Sequence, residues 1–332
     1  MRPSLFFTTS LSNLLFHGRL VRSLSTSPLH AISRGNDGTV IISPSDGAQH
    51  SATVILCHGL GDTANGWLEP TQYLANQLPY IKWILPTAPT QPVTLNNGMS
   101  MPSWYDIVGL DSRSTEFCNG LDESMERILG LVEDEVSGND LAECHAPLDY
   151  SRIVLAGFSQ GGALALYTGM TQIRKQSNEG LGLGGITVMS GYLPRSNAFA
   201  IAKGSETTPI LHCHGQQDSV VPVQAAALSR ERVLSLLEER GVGNESTYEV
   251  KTYAGLDHSV SMNELNDVVN FLKRVIPQIN SKEDVVQEET EYADPTNMSV
   301  KQLRAEIDKR GLQEEARGIL EKSELVKLLL KQ

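Results

Sequence analysis

Residues 152–166 read RIVLAGFSQGGALAL, and this stretch decides the fold. Aliphatic residues lead into Gly157-Phe158-Ser159-Gln160-Gly161, and small and aliphatic residues suited to a helix follow at once. The pattern predicts a strand, a sharp turn with Ser159 at its apex, and a helix. Glycines flank the serine because only small residues fit in so tight a turn. The Ser159 hydroxyl would then stand at a helix N-terminus, where partial positive charge stabilises a developing anion.

Strands and helices alternate along the chain from Asp37 onwards. The further predicted strands are residues 39–42, 52–57, 81–85, 185–189, 210–214 and 248–253, and the further predicted helices are 121–136, 224–240 and 263–275. This alternation is typical of a mostly parallel sheet with helices on both faces. In such a sheet the functional site lies at the carboxyl ends of the strands. The loop 58–61, Ser159, Asp218 and His258 all follow predicted strands, so we expect them to meet there.

A serine hydroxyl needs a base to become a nucleophile, and the base needs an acid to orient it. Asp218 and His258 each lie just past a predicted strand. The order Ser, Asp, His along the chain is that of the α/β-hydrolase fold. We therefore expect Ser159 to attack an acyl carbon, His258 to move the proton, and Asp218 to fix the tautomer of His258. The backbone N–H groups of Gln160 and Leu60 are expected to bind the resulting oxyanion.

Four other titratable residues compete for these roles. Asp257 adjoins His258 but is expected to point away from it, and Asp62 is expected to be a turn or cap residue. We expect His58 to shape the loop that carries Leu60, and His145 to be solvated in a polar loop.

Composition narrows the functional classes. The 332-residue chain has a net charge of −12, which disfavours nucleic acid or an anionic membrane as a partner of the whole protein. Its four cysteines (Cys57, Cys118, Cys144 and Cys213) are expected to be free thiols in a reducing compartment. The run 212–214 reads HCH but has no third ligand nearby in the sequence, so we expect neither a metal nor a cofactor.

Residues 1–36 contain four arginines, many serines and threonines, and no Asp or Glu. This composition is typical of an organellar transit peptide, with residues 22–27 as a processing region, and it favours the mitochondrion over the plastid. The apolar stretches are too short to span a bilayer. The alternative is a disordered extension of a cytoplasmic protein.

The chain after the predicted hydrolase domain, residues 37–280, changes character twice. Residues 281–295 form an acidic linker, which is expected to be solvated and flexible. Residues 296–332 predict two short helices, with Ser323 helping to cap the second. Val300, Leu303 and Ile307 would line the first helix, and Leu325, Leu328 and Leu329 the second.

The chain from about residue 38 to 278 resembles the acyl-protein thioesterase, lysophospholipase and carboxylesterase family of serine hydrolases. The matching motifs are LCHGLGDT at 56–63 with Trp67, PTAP at 86–89, MPSWYD at 101–106, GFSQGGA at 157–163, YLP at 192–194, HG at 214–215, Asp218, VP at 221–222, and His258. The resemblance implies the same triad and oxyanion donors. It also implies hydrolysis of thioesters on S-palmitoylated proteins, of lysophospholipids, or of simpler carboxylic esters.

The chain departs from this family at residues 255–257, where methionines are frequent, and at residues 190–192, where animal thioesterases have a cysteine–tryptophan pair. Both departures bear on acyl preference. The stretch 91–110 is expected to form a lobe over the site. Its apolar residues could line an acyl groove or simply pack beneath a loop: Val93, Leu95, Met99, Met101, Ile107, Val108 and Leu110.

The tail resembles the SAP module more weakly, at residues 300–307, 309–312 and 322–326. Many such modules bind DNA. Residues 295–332 carry eight basic and six acidic residues, so protein docking or a structural role is favoured over nucleic-acid binding.

The sequence therefore predicts a hydrolase that acts through an acyl-enzyme, without a cofactor, on an acylated protein or a lipid ester. A short-chain carboxylesterase is the enzymatic alternative. A scaffold that docks a partner through its tail is the non-enzymatic alternative, and the complete triad argues against it. A weak homodimer is compatible with the sequence.

Overall fold

The computed structural model describes residues 30–44, 49–109, 117–138, 146–175, 179–242 and 245–279, and in the tail residues 300, 303–304, 307, 312, 316 and 321–330. Its strands are β1 (Ile32–Arg34), β2 (Val40–Ile42), β3 (Ala52–Cys57), β4 (Ile81–Leu85), β5 (Thr90–Val93), β6 (Met99–Pro102), β7 (Ile153–Phe158), β8 (Gly185–Met189), β9 (Ile210–Gly215) and β10 (Tyr248–Tyr253). Its helices are α1 (Leu68–Gln77), α2 (Leu121–Ser137), α3 (Gln160–Thr171), α4 (Gln224–Glu239), α5 (Met262–Val275) and α6 (Lys322–Leu330).

Eight of these strands form one sheet in the order β1-β2-β4-β3-β7-β8-β9-β10. From β4 to β10 all neighbouring strands are parallel, and β1 and β2 add an antiparallel edge. Every residue of β3, β4, β8 and β9 is buried. Continuous aliphatic runs form such strands because both of their faces are covered. The predicted mostly parallel sheet of the α/β-hydrolase fold is therefore confirmed.

Helices cover both faces of this sheet. On one face α2, α3 and α4 bury Ile128, Leu164 and Val233 in the larger apolar core. On the other face α1 and α5 bury Leu74 and Leu265 in a second core. Helix α1 is absent from the sequence-based prediction. Strands β5 and β6 form a separate antiparallel pair within the predicted lobe.

The sheet begins before residue 37, where the hydrolase domain was predicted to start. Strand β1 pairs with β2 in the register Ile32↔Ile42 to Arg34↔Val40, so the predicted boundary at residue 36 falls inside a hairpin. All three β1 residues are exposed. Because no side chain of β1 is buried, the sequence carries no alternating apolar pattern that could reveal it. Residues 1–29 lie outside the described chain, and the transit peptide stays a prediction.

The tail has a small apolar cluster of its own. Its buried members are Leu303, Ile307, Leu312, Ala316, Leu325, Val326 and Leu329, with Leu328 partly buried. Val300, predicted to line the first tail helix, is 41% exposed and lies outside this cluster. Ser323 is the second residue of α6, so it lies inside the helix instead of capping it. The acidic linker at 281–295 lies outside the described residues.

Two of the cysteines bear out the prediction of free thiols. Cys57 and Cys213 are buried free thiols, as predicted, whereas Cys144 is not among the described residues.

Within the described parts of the chain, no helix combines the length and apolar character needed to cross a bilayer.

Candidate active site

Ser159 occupies the single position between the end of β7 and the start of α3. Its φ of 53° and ψ of −117° lie in a region that residues with a side chain rarely adopt. Such a conformation costs on the order of 1–3 kcal/mol, so the surrounding structure must hold it in place. The Ser159 N–H donates to the Met189 carbonyl at 2.8 Å, and the Ser159 carbonyl accepts from the Ala163 N–H at 3.0 Å. These bonds fix the serine to β8 on one side and to the first turn of α3 on the other.

Gly157 and Gly161 have no room for a side chain. A Cβ on Gly157 would collide with the carbonyl group of Gly161, and a Cβ on Gly161 would collide with the carbonyl group of Cys57. The strand before the serine and the helix after it therefore meet backbone to backbone. This close approach is why glycines flank the serine.

The side chains of Ser159, His258 and Asp218 form one hydrogen-bonded chain. His258 Nε2 lies 2.9 Å from Ser159 Oγ, and His258 Nδ1 lies 2.7 Å from Asp218 Oδ2. Because an ionised carboxylate can only accept, Nδ1 carries the proton and the serine hydroxyl donates to Nε2. In this tautomer the imidazole is ready to take the serine proton.

His258 lies in the loop between β10 and α5, and the cap of α5 and the Phe158 ring of β7 hold it in place. Ser261 caps α5: its Oγ accepts from the Glu264 N–H at 3.2 Å, and a carboxyl oxygen of Glu264 accepts from the Ser261 N–H at 3.4 Å. This capping box fixes the chain three residues after the histidine. The Phe158 ring lies 4.8 Å from the imidazole of His258 and restricts its movement.

Asp218 is held by the backbone of its own loop. Its Oδ1 accepts from the N–H groups of Val220 at 2.9 Å and Val221 at 2.8 Å, which leaves Oδ2 for His258. Burial alone would raise the pKa of Asp218. Hydrogen bonds from His214 and His258, together with the Val221 backbone, outweigh burial and hold the pKa well below its usual range. The carboxylate is therefore ionised near neutral pH.

His214 supports Asp218 from behind, a role that the sequence pattern does not reveal. The side chain is buried, and its Nε2 lies 2.7 Å from the Val221 carbonyl and 3.5 Å from Asp218 Oδ2. A carbonyl can only accept, so Nε2 carries the proton and is directed at the loop of Asp218. The signal for this residue was the His-Gly pair at the end of β9.

The two predicted oxyanion donors belong to chain segments that adjoin the nucleophile. Gln160 is the first residue of α3, and the first N–H groups of a helix have no acceptor within it. The loop that carries Leu60 passes directly beside the serine, because a Cβ placed on Gly59 would lie 3.5 Å from Ser159 Cβ. The Asp62 N–H closes a turn onto the Gly59 carbonyl at 3.2 Å, with Leu60 inside the turn.

The competing residues occupy the structural positions expected of them. Asp62 accepts from the Thr63 N–H at 2.7 Å, and Asp257 accepts from the Ser259 hydroxyl. His58 is buried, and burial lowers its pKa. Its ring accepts from the Ala88 N–H at 3.0 Å and donates to the Gly59 carbonyl at 2.7 Å, so it shapes the loop of Leu60. His145 lies outside the described residues.

The two histidines of the run at 212–214 contact different partners. His212 Nδ1 lies 2.8 Å from the Tyr248 hydroxyl, and burial lowers the pKa of His212 to about 3. His214 is directed at the loop of Asp218. Among the described residues, no group of three or more His, Cys, Asp or Glu side chains could hold a metal ion.

The apolar residues of the lobe separate into distinct groups. Val93 and Ile107 are buried in the core, whereas Met99 and Val108 are about 60% exposed. Leu95 and Met101 are half-buried, and Leu110 is not described. Val93, Met99 and Met101 lie on one face of the β5–β6 pair, because Val93 is directly opposite Met99 and residues two apart in a strand share a face. Met101 remains beside the site, because its Sδ lies 3.6 Å from a Cβ placed on Gly61.

A hydrogen-bonded Asp–His–Ser chain at the carboxyl edge of a parallel sheet defines a serine hydrolase of the α/β class. Residues 36–276 match the phospholipase/carboxylesterase family, and the chain belongs to this family. It is a serine hydrolase of carboxylic esters and thioesters.

Curated relatives are similar over most of their length. Acyl-protein thioesterase 1 of Mycosarcoma maydis is 36% identical over 246 residues, which cover 72% of this chain and 97% of that protein. Acyl-protein thioesterase 1 homolog 1 of Dictyostelium discoideum is 36% identical over 69% of this chain and 92% of its own.

Solved structures show the same fold. Acyl-protein thioesterase 2 of Zea mays has a TM-score of 0.56 and 26% identity, and the match covers 72% of this chain and 98% of that one. SOBER1 of Arabidopsis thaliana has a TM-score of 0.54 and 29% identity over 68% of this chain and 99% of that one.

Proposed function

We propose that this protein is an acyl-protein thioesterase that removes long acyl chains from cysteine side chains. The hydrogen-bonded chain of Asp218, His258 and Ser159 is the observation that carries the proposal. The names of the relatives, which align over nearly their whole length, support the thioester as the substrate.

The first half-reaction transfers the acyl group to the enzyme. Ser159 Oγ attacks the thioester carbonyl carbon while His258 Nε2, 2.9 Å away, accepts the hydroxyl proton. The negative charge that develops on the carbonyl oxygen is stabilised by the N–H groups of Leu60 and Gln160. When the C–S bond breaks, His258 returns the proton to the leaving sulfur.

The second half-reaction frees the enzyme. Water attacks the acyl–Ser159 ester, His258 takes a proton from the water, and the same two N–H groups bind the new oxyanion. Ser159 then leaves with the proton from His258, and a fatty acid is released. Asp218 stabilises the imidazolium in both halves because its carboxylate stays ionised.

Lysophospholipids carry a similar acyl chain on an oxygen ester, so the same residues can hydrolyse them. A short-chain carboxylesterase is the second candidate. The exposure of Met99 and Val108 favours it, because these residues do not form part of an enclosed acyl groove.

Hydrolysis of acyl thioesters and acyl esters from two to sixteen carbons tests the proposal. We expect activity to rise with chain length, because each buried methylene contributes about 0.8 kcal/mol. A maximum at short chains would favour the carboxylesterase. If wild type and Ser159→Ala hydrolysed every substrate of the series at the same rate, the protein would be a non-enzymatic scaffold.

A further inference from the structure

The segment from Pro102 to Tyr105 is bonded to the loop that carries Leu60. The Gly61 N–H donates to the Pro102 carbonyl at 2.8 Å. The indole N–H of Trp104 donates to the His58 carbonyl at 2.8 Å. The centroids of the Trp104 and His58 rings lie 5.1 Å apart. Residues on both sides of Leu60 are therefore fixed to this segment.

The same segment is bonded to the side chain of Gln160. The Trp104 N–H donates to Gln160 Oε1 at 3.0 Å. Gln160 Nε2 donates to the Tyr105 carbonyl at 2.7 Å and to Ser103 Oγ at 3.0 Å. Both ends of this buried amide are therefore satisfied by one short stretch of chain.

The segment itself has little freedom to move. Ser103, Trp104 and Tyr105 are fully buried, and Gln160 is 1% exposed. The Ser103 N–H donates to the Pro89 carbonyl at 3.0 Å, and the Trp104 carbonyl accepts from the Ser124 hydroxyl at 2.5 Å. A segment held at so many points can transmit the position of one loop to the other.

We propose that the Gln160 amide and the Trp104 indole are positioning groups, which fix the distance between the two oxyanion donors. The inference rests on the proposed function, in which the N–H groups of Leu60 and Gln160 bind the oxyanion. The close contact of Gly161 with Cys57 and His58 places the start of the Leu60 loop beside α3. The bonded segment adds side-chain bonds to both loops, and oxyanion stabilisation depends on donors that are already in place before charge develops.

Two substitutions test the proposal, each with a matched control. Gln160→Met keeps the length of the side chain and its backbone N–H but removes the amide bonds. Its control is Gln172→Met, just past the far end of α3, where the one hydrogen bond of the amide to a described residue is to Met125 Sδ at 3.8 Å.

Trp104→Phe removes the indole bond to His58 and keeps an aromatic ring. Its control is Trp83→Phe in β4, where the buried indole N–H has no hydrogen-bond partner among the described residues.

We expect Gln160→Met and Trp104→Phe each to lower kcat by about tenfold to a hundredfold, since loss of a whole oxyanion donor costs about a hundredfold to a thousandfold. KM should change less than about threefold, because ground-state binding is untouched. A trifluoromethyl ketone, which forms a tetrahedral adduct with the serine, should lose affinity in parallel with kcat. The double variant should lose less than the product of the two single losses, because both act on one segment.

The result that overturns the proposal is a folded Gln160→Met or Trp104→Phe protein with the kcat and ketone affinity of its control. A loss of kcat with unchanged ketone affinity would also overturn it. Thermal unfolding of each variant shows whether it is folded. If Gln160→Met does not fold, Ser103→Ala removes, of the bonds of the Gln160 amide, only those to the Ser103 hydroxyl. If Ser159→Ala remained active, the proposed function would fail. If only the positioning variants behaved like their controls, this inference alone would fail.

Discussion

The position of one proton decides the chemistry of the site at the residue scale. Asp218 holds the proton of His258 on Nδ1, which leaves Nε2 free to accept from Ser159. The order of the three residues along the chain predicts their roles, but their distances depend on loops that have no periodic pattern. His214 illustrates this limit, because its support of Asp218 arises only when the loop at 215–221 folds back.

Asp218→Asn should lower kcat about a thousandfold to ten-thousandfold with little effect on folding. The amide can donate to Nδ1, which places the imidazole proton on Nε2 and prevents it from accepting the serine proton. Steady-state rates with a long-chain ester measure the effect. Asp257→Asn, in the adjoining turn, is the control and should stay within about twofold of wild type. A kcat for Asp218→Asn within tenfold of wild type would contradict the assigned role.

Glu264 makes stability depend on pH. The side chain is buried, and burial raises its pKa from 4.5 to about 8. Between these values the folded state holds the proton that the unfolded state has released, so stability falls as pH rises from about 4.5 to 8. Glu264→Gln keeps the capping box and should remove this loss, which is on the order of a few kcal/mol.

Urea unfolding of both proteins at pH 5 and pH 8 measures this effect. We expect the free energy of unfolding of wild type to fall between the two values more than that of Glu264→Gln. Equal decreases in the two proteins would show that Glu264 does not cause the loss.

The turn that carries the serine shows how backbone contact limits substitution at the element scale. Gly161→Ala should lower the free energy of unfolding by more than about 2 kcal/mol and abolish activity, because a Cβ there meets the backbone of β3. Gly130→Ala in α2 is the matched control, since a Cβ on Gly130 meets nothing within 4 Å. It should stabilise the protein by about 0.5–1 kcal/mol. Chemical denaturation compares the two, and similar stabilities would contradict the close contact.

The β5–β6 lobe predicts a contrast between two methionines of one strand. Met101 lies beside the loop of Leu60, whereas Met99 is 61% exposed. Met101→Ala should raise KM for sixteen-carbon substrates about tenfold and leave two-carbon substrates nearly unchanged, because it removes apolar contact with the chain. Met99→Ala should change neither. Equal effects of the two variants at both chain lengths would exclude the lobe from acyl binding.

Sequence patterns predicted most elements with buried faces, but they missed α1, which buries Leu74, and β1, which buries no side chain. The sequence predicts β7 and the turn after it, because burial requires an aliphatic run and close backbone contact requires Gly157 and Gly161. Strand β1 is exposed along its whole length, so its residues are free to vary and carry no signal. The role of the Gln160 amide could not be predicted either, because its hydrogen-bond partners lie more than fifty residues away in the chain.

At the scale of the whole molecule, the N-terminal leader bears on where the protein works. We propose that the leader within residues 1–36 directs the protein to the mitochondrion. Cleavage at 22–27 would leave β1 intact, because the sheet begins only at Ile32. N-terminal sequencing of the protein from its native source should find a start within or just after residues 22–27. An intact Met1 on the organellar protein would contradict this.

The central claim is that Ser159 carries the acyl group from a protein cysteine to water. The most direct test compares wild type and Ser159→Ala on a peptide that bears a palmitoyl-cysteine, by following the freed thiol. We predict rapid release by wild type and a rate at least about ten-thousandfold lower in the variant, with unchanged unfolding. Comparable release by the two proteins, or no release by wild type, would contradict the claim.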